Sequence, residues 1–224
     1  MSRRRSVVLR CNLPRFALAW LTLASMLPLA FPSEAQTSAG AVREPTPREL
    51  LNSERIERTF GSYGIDVLAS DADVRVSDLY SGEGEHKVCR TFAVVRYPQR
   101  IDPRFAAEHA LILAGGSIGA TFAGHGWMVV KTHRYLGEID APPRLKALMG
   151  GIDAARLAVD VYVLDVVKDD VRLEYAAIAE VHHPDYLGLA DLERIYDSAG
   201  DVPRSPDRET RDLLELVAER ARQP

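Results

Sequence analysis

Three groups of residues have types and spacings that could bind or transform a small molecule. The first is the run Gly-Gly-Ser-Ile-Gly at residues 115–119. If this run leads into a helix, its backbone N–H groups stay open, and the helix start favours a carboxylate or a phosphate. It is not a nucleotide-binding loop, since no Lys-Ser or Lys-Thr pair follows and a predicted helix precedes it. A plain corner between two helices explains the same residues equally well.

The second group consists of basic side chains on predicted strands, namely Arg75, Arg90, Arg96, Lys131 and His133. Arg75 lies inside the first predicted strand rather than at its tip, so its guanidinium can point into a pocket on the sheet. A planar guanidinium is suited to holding a carboxylate through two parallel hydrogen bonds. The alternative for each of these residues is a solvated strand face.

The third group is Glu180-Val181-His182-His183 near the end of the last predicted strand. Strand alternation places Glu180 and His182 on one face and His183 on the other, so the two histidines do not readily share a metal. We predict neither a metal nor a cofactor. Glu180 stands in an apolar strand, where burial would raise its pKa and suit it to general acid catalysis or to a hydrogen-bonding role.

The elements that must position these residues follow an order typical of an α+β fold. Apolar and β-branched patterns predict strands over residues 73–80, 87–97, 127–136, 156–167 and 171–183. Helical spacing and capping residues predict helices over 46–58, 103–114, 117–124, 143–149, 189–196 and 209–222. This order does not alternate as βαβα. We therefore expect one domain over residues 46–197, with an antiparallel sheet and helices on one face.

Segments of different composition flank this domain. Residues 36–45 are rich in small polar residues and predict a flexible linker, and residues 198–207 predict a second linker. Residues 208–224 predict a C-terminal amphipathic helix with Leu213, Leu214 and Val217 on its apolar side. That helix could contact this domain or a protein partner.

The N-terminus has the layout of a secretory signal peptide. Residues 1–15 contain five arginines and no acid, residues 16–31 are almost wholly apolar, and Ser33-Glu34-Ala35 gives a small-x-small cleavage site. We predict a signal peptide over residues 1–35 and a periplasmic or secreted protein. An uncleaved anchor is the alternative, and the pair Arg4-Arg5 leaves both the general and the twin-arginine export routes open.

Charge and composition exclude several classes of protein. The 224 residues include 28 Lys and Arg and 32 Asp and Glu, and residues 36–224 carry 23 basic and 31 acidic side chains. A net-acidic chain of this kind lacks the positively charged surface that binds the phosphates of nucleic acids, so a nucleic-acid partner is not expected. With no apolar run of 18 residues, a multi-span membrane protein is excluded. Cys89 is the only cysteine after the leader, so we predict a buried thiol and no intrachain disulfide.

In this order, the three groups resemble the chorismate lyase family. The stretch Arg75-Val76-Ser77-Asp78-Leu79, a Gly turn and the strand from Arg90-Thr91 to Pro98 are similar to that family's first hairpin. The family's Pro-Leu-Gly element is similar to Ser-Ile-Gly-Ala-Thr-Phe at residues 117–122. The end of the family's last strand is similar to Ala-Glu-Val-His-His-Pro at residues 179–184. The resemblance covers about residues 60–187.

The resemblance implies a small buried pocket on an antiparallel sheet. In the family, an arginine on the first strand and a backbone N–H hold the ligand carboxylate. By position, the resemblance implies that the arginine is Arg75 and that the N–H belongs to Ile118. The family's glutamate contacts the ring hydroxyl and assists elimination of pyruvate, leaving 4-hydroxybenzoate; by position it is Glu180. Arg90 and His182 are secondary candidates. The other predicted ligand-binding residues are Gly116, Ser117 and Gly119.

The sequence departs from the family at several positions. Ser117 stands where the family has Pro, and Ala179 stands where it has Thr. Chorismate is also a cytosolic metabolite, whereas this chain begins with an export leader. Three functions therefore stay open: an exported binding protein for a carboxylated aromatic or ring compound, a lyase of the chorismate type, and an envelope structural or interaction protein with a vestigial pocket.

Overall fold

The structure is a computed structural model that describes residues 50–223. The predicted signal peptide, the linker at 36–45 and residues 46–49 lie outside the described residues. The strands are β1 (Gly64–Ser70), β2 (Val74–Ser81), β3 (Val88–Arg96), β4 (Met128–Asp140), β5 (Arg156–Lys168) and β6 (Val171–His182). The helices are α1 (Asn52–Phe60), α2 (Ala106–Leu113), α3 (Ile118–Gly124), α4 (Pro143–Leu148), α5 (Leu189–Tyr196) and α6 (Arg208–Arg220). This is a single α+β domain, as the element order predicts.

The strands form one six-stranded sheet in the order β1-β2-β3-β6-β5-β4, in which every pair is antiparallel. Two three-stranded units, β1 to β3 and β4 to β6, therefore meet where β3 pairs with β6. In that central pair Ala93 lies opposite Glu180, and on the outer sides Ser77 lies opposite Ala93 and Asp160 opposite Glu180. Residues distant in sequence thus form one row across the sheet.

Both faces of the central strands are buried, which corrects the prediction of helices on one face. The face that carries Ala93, here the front face, packs against Ile56 of α1 and Leu192 of α5. The face that carries Val94, the back face, packs against α4 and α6. Neighbouring residues of a strand point to opposite faces, so a strand with buried side chains at successive positions needs a helix layer on each side.

The first half of the domain differs from the predicted boundaries at two places. Helix α1 begins at Asn52 rather than at 46, and the Glu54 carboxylate accepts a hydrogen bond from the Leu51 N–H at 2.9 Å, a helix-start interaction. Gly61 ends α1 with a φ of 77°, as its position predicts. The sequence pattern does not predict strand β1, because this edge strand has little buried surface and its first residue is Gly64.

The C-terminal helix is part of the same core. Leu213 and Val217 of α6 and Ala221, which follows the helix, are at most 3% exposed and belong to the back-face cluster. Two of the three side chains on its predicted apolar side, Leu213 and Val217, are therefore covered by the sheet. The thiol of Cys89 is buried in that same cluster. None of the helices in the described part of the chain is both long and apolar enough to span a membrane.

Docking of α6 predicts a measurable contribution to stability. We expect Leu213→Ala to lower the free energy of unfolding by about 2–5 kcal/mol, because it removes a buried leucine side chain from the back-face core. Glu215→Ala, an exposed position on the same helix, should change it by less than about 0.5 kcal/mol. Urea denaturation measures both. Equal values for the two variants would mean that α6 is not docked in solution.

Candidate functional site

A cavity of about 60 Å³ lies on the front face of the sheet, beneath α1 and the start of α3. Most of its lining is apolar, and the charged side chains among the lining residues are one lysine, one arginine and one glutamate. A mainly apolar cavity with a few convergent polar groups is typical of a small-molecule site. Its polar and charged lining residues are Asn52, Ser53, Tyr63, Arg75, Ser77, Ser117, Lys131, Tyr162 and Glu180.

The structure brings most of the predicted site residues together. Arg75, Glu180, Ser117, Ile118 and Gly119 all line this cavity. Residue 116 belongs to the same assembly through its backbone, because its carbonyl oxygen accepts a hydrogen bond from the Arg75 side chain at 2.9 Å. Three segments far apart in sequence therefore meet at one site.

Close packing explains why a glycine stands at position 119. A Cβ atom on Gly119 would lie 2.8 Å from the methyl groups of Leu51, which is closer than real contacts allow. The glycine therefore lets the chain before α1 lie directly against the first turn of α3, and this contact roofs the cavity. Amides in the first turn of a helix have no partner within the helix, so the amides of Ile118 and Gly119 add polar groups to the lining.

Arg75 is almost fully buried, and most of its hydrogen-bonding capacity is used. Its Nε donates to Ser77 Oγ at 3.0 Å, and its Nη1 donates to the carbonyl oxygens of Ile112 at 3.0 Å and Gly116 at 2.9 Å. These bonds tie β2 to the end of α2 and to the loop before α3.

The remaining nitrogen of Arg75, Nη2, is buried without a hydrogen-bond partner among the described residues. The hydroxyl of Tyr97, which approaches the same guanidinium, is buried without a partner as well. A buried charged donor left unpaired is costly, so Nη2 is the nitrogen that remains for a ligand anion. The sequence predicted that two guanidinium nitrogens hold a carboxylate, whereas the structure leaves one nitrogen for that contact.

Glu180 is ionised in this site, which corrects the expectation of a raised pKa. Burial by itself raises the pKa of this carboxyl, but the positive charge of Lys131, the neighbouring His182 and the polar side chains of Asn52 and Tyr162 outweigh it. The net pKa of Glu180 lies below its ordinary value. The side chain is therefore suited to accept a hydrogen bond or a proton rather than to donate one.

Lys131 is the site residue whose importance the sequence pattern did not reveal. Its Nζ lies 3.8 Å from Glu180 Oε2 and 4.3 Å above the ring of Tyr162, and its side chain is 13% exposed. Burial tends to lower the pKa of Lys131, but Glu180, Tyr196 and Asp160 raise it above the ordinary value. The sequence showed a lysine on a strand, and only the sheet register shows that it faces a glutamate across a cavity.

The two secondary candidates lie outside the cavity lining. The Arg90 guanidinium stacks 3.8 Å over the ring of Phe60, and its Nε donates to Ser81 Oγ at 2.8 Å. His182 is 1% exposed, and its Nδ1 lies 3.1 Å from Thr91 Oγ1. In the described part of the chain, no three His, Cys, Asp or Glu side chains are grouped so that they could hold a metal ion.

A hydrogen-bonded chain connects the cavity to His182. The Asn52 side-chain amide donates to Thr91 Oγ1 at 3.1 Å, and the same hydroxyl is hydrogen-bonded to His182 Nδ1 at 3.1 Å. The Tyr186 hydroxyl donates to Asn52 Oδ1 at 2.6 Å and fixes the orientation of that amide. The other ring nitrogen of His182, Nε2, is buried without a partner among the described residues. The sequence pattern also misses Asn52 as a lining residue, because this asparagine lies inside the predicted helix over 46–58, where its spacing does not show which face it occupies.

Comparison of the sequence with models of known protein families and with curated proteins finds no match. A functional assignment for this chain therefore depends on the geometry and chemistry of the cavity.

The buried His182 predicts a specific pH dependence of stability. Burial lowers its pKa to about 4, so the folded protein holds it neutral at pH values where the unfolded chain protonates it. Stability is then lost as the pH falls from about 6.5 to about 4, by up to about 3 kcal/mol.

Urea denaturation between pH 4 and 7 measures this loss, with His182→Asn as the comparison because asparagine can keep a hydrogen bond to Thr91. The wild-type protein should lose more stability than the variant within that pH window. Parallel curves for the two proteins would mean that folding does not lower the pKa of His182.

Proposed function

We propose that the protein binds a small ring compound carrying a carboxylate, in the cavity between the front face of the sheet and the start of α3. The observation that carries this proposal is the buried guanidinium of Arg75 at the wall of a mainly apolar cavity, with its Nη2 unpartnered among the described residues. A carboxylate would supply the missing acceptor and compensate the charge. A flat ring would replace water against the side chains of Leu79, Ala93, Val95 and Ile178.

The positions of Arg75 and Glu180 on different strands favour a ligand that has a polar group at each end. Arg75 and Glu180 lie on β2 and β6, which are separated by β3, so their backbones are about 10 Å apart across the sheet. Glu180 accepts hydrogen bonds at the end away from Arg75. A carboxylated ring with a hydroxyl, such as 4-hydroxybenzoate, carries matching groups, which agrees with the resemblance of residues 60–187 to the chorismate lyase family.

We also propose that this binding takes place outside the cytoplasm. The proposal depends on the leader-like sequence of residues 1–35, and it requires that protein recovered from the cell envelope or medium begin at Gln36. A mature protein that retains residues 1–35 inside the cell would contradict the proposed location and leave the proposed binding unaffected.

Ligand binding is tested by thermal and chemical denaturation of the purified protein with 4-hydroxybenzoate. A ligand at 100 times its Kd should add about 2.7 kcal/mol to the free energy of unfolding. The uncharged isostere 4-hydroxybenzamide should add much less, because it brings no anion to Arg75. No stabilisation by any carboxylated ring compound would overturn the proposal and leave a structural protein with a vestigial pocket.

Two variants show whether binding occurs in this cavity. Ala93→Leu places a larger side chain inside the cavity and should abolish the stabilisation. Arg75→Lys keeps the charge but loses the planar donor, and should weaken binding at least tenfold. Arg100→Lys, a matched change at an exposed position outside the lining, should have no effect. Binding unchanged in Ala93→Leu would place the ligand elsewhere.

A lyase is the second candidate, and the ionised Glu180 beside Lys131 favours it. In the proposed reaction, Glu180 takes a proton from a ring carbon of chorismate while the C–O bond to the enolpyruvyl group breaks. The ring becomes aromatic as 4-hydroxybenzoate, and the departing enol takes up a proton at carbon to become pyruvate. The ionised form of Glu180 can accept the proton, and the neighbouring Lys131 cation can stabilise the negative charge that develops on the departing oxygen.

Pyruvate release from chorismate measures this activity. If Glu180 is the base, Glu180→Gln should lower kcat by about 10²–10⁴-fold while the affinity for 4-hydroxybenzoate changes much less. Equal losses in turnover and binding would make Glu180 a binding residue only. Absence of pyruvate from folded wild-type protein would remove the lyase and leave the binding function.

A further inference from the structure

Lys131 is an ammonium group with unused hydrogen-bonding capacity inside the proposed binding cavity. Its side chain is 13% exposed, and its Nζ is 3.8 Å from Glu180 Oε2, which is an ion-pair distance but longer than a hydrogen bond. The contacts that position this Nζ among the described residues are the ion pair with Glu180 and the ring of Tyr162. An ammonium carries three N–H donors, and in a partly open cavity a ligand or water supplies the acceptors that these two contacts leave unfilled.

The charges that line the cavity limit what the acceptor can be. Arg75 and Lys131 are positive and Glu180 is negative, and they are the charged side chains among the lining residues. Their sum is one positive charge, which a single carboxylate neutralises when it binds at Arg75. A second anion at Lys131 would leave a net negative charge in a cavity of low polarity, which is unfavourable. The acceptor for Lys131 is therefore an uncharged oxygen.

The position of Glu180 further narrows the choice. Its carboxylate stands beside Lys131 and can accept a hydrogen bond from the same ligand group. An uncharged oxygen that accepts from an ammonium and donates to a carboxylate is a hydroxyl, because ether and carbonyl oxygens only accept and amino groups mainly donate. The stacking of Nζ over the Tyr162 ring at 4.3 Å holds the ammonium in place for this contact.

We propose that Lys131 is a specificity-determining residue of the cavity, which donates a hydrogen bond to a ring hydroxyl of a monocarboxylated ligand while Glu180 accepts from the same hydroxyl. The inference rests on the proposed binding function and narrows its ligand class to hydroxy-substituted ring monocarboxylates. If the protein turns over an enolpyruvyl ether, the same ammonium stands where it can stabilise the oxygen that departs with the electron pair of the broken C–O bond.

The test compares two ligands of nearly equal shape. The hydroxyl of 4-hydroxybenzoate both donates and accepts, whereas the amino group of 4-aminobenzoate serves mainly as a donor. Calorimetric titration of the wild-type protein should give a Kd for 4-hydroxybenzoate at least tenfold lower than for 4-aminobenzoate, since a hydrogen bond from a charged donor is worth about one order of magnitude or more. In Lys131→Met, whose side chain has a similar length, the ratio should fall to about one.

Two further variants keep the test valid if Lys131→Met leaves the charge of Glu180 uncompensated and the protein does not fold. Lys131→Met combined with Glu180→Gln retains the single positive charge of the lining and buries no unpaired carboxylate. The Kd values of this double variant for the two acids should also be about equal. Glu180→Gln alone retains the ammonium, so it should keep the preference for the hydroxyl.

The outcomes separate the inference from the proposed function. If neither acid binds to folded wild-type protein, the binding function itself is overturned. If both acids bind and the ratio stays above tenfold without Lys131, or is already about one in the wild-type protein, the role of Lys131 is overturned while the binding function stands. The inference is supported if both Lys131 variants still bind 4-aminobenzoate and their Kd values for the two acids are about equal.

Discussion

The need to compensate ionisable side chains inside an otherwise apolar layer governs the front face of this sheet. Arg75, Lys131 and Glu180 all point into the same cavity, where an unpaired charge is far costlier than at the surface. The protein meets this need only in part. Lys131 and Glu180 face each other at 3.8 Å, and Arg75 uses three bonds to hold two carbonyl oxygens and a hydroxyl. The buried Nη2 of Arg75 stays unpaired among the described residues, and it is the donor to which we propose that a ligand carboxylate binds.

The same side chains also join the elements that form the walls of the cavity. The bonds from Arg75 join β2 to the loop between α2 and α3, so the residue that would contact a ligand also positions the segment that roofs the site. Behind the opposite end, Asn52 and Thr91 connect α1 to the sheet and to His182. Groups held by several bonds lose little freedom when a ligand arrives, which favours binding.

The central pairing of β3 with β6 brings the site together. It joins two units of sequential antiparallel strands, and it places Glu180 of β6 across from Ala93 of β3, so that only β3 separates Glu180 from the strand that carries Arg75. Ala93 is small enough to leave room above it, and the cavity occupies that room. A site built on strands rather than on loops suits recognition of a small rigid molecule, which is the function that we propose.

The sequence alone determined much of the local structure. Strand alternation, turn glycines and capping residues predicted five of the strands and the approximate helix positions, and they marked Arg75 and Glu180 as unusual. The second helix layer, the short edge strand β1 and the role of Lys131 were decided only by tertiary structure. A strand pattern states which residues share a face but not what covers it. The charge beside Glu180 likewise depends on register between β4, β5 and β6, which is set by packing across the whole sheet.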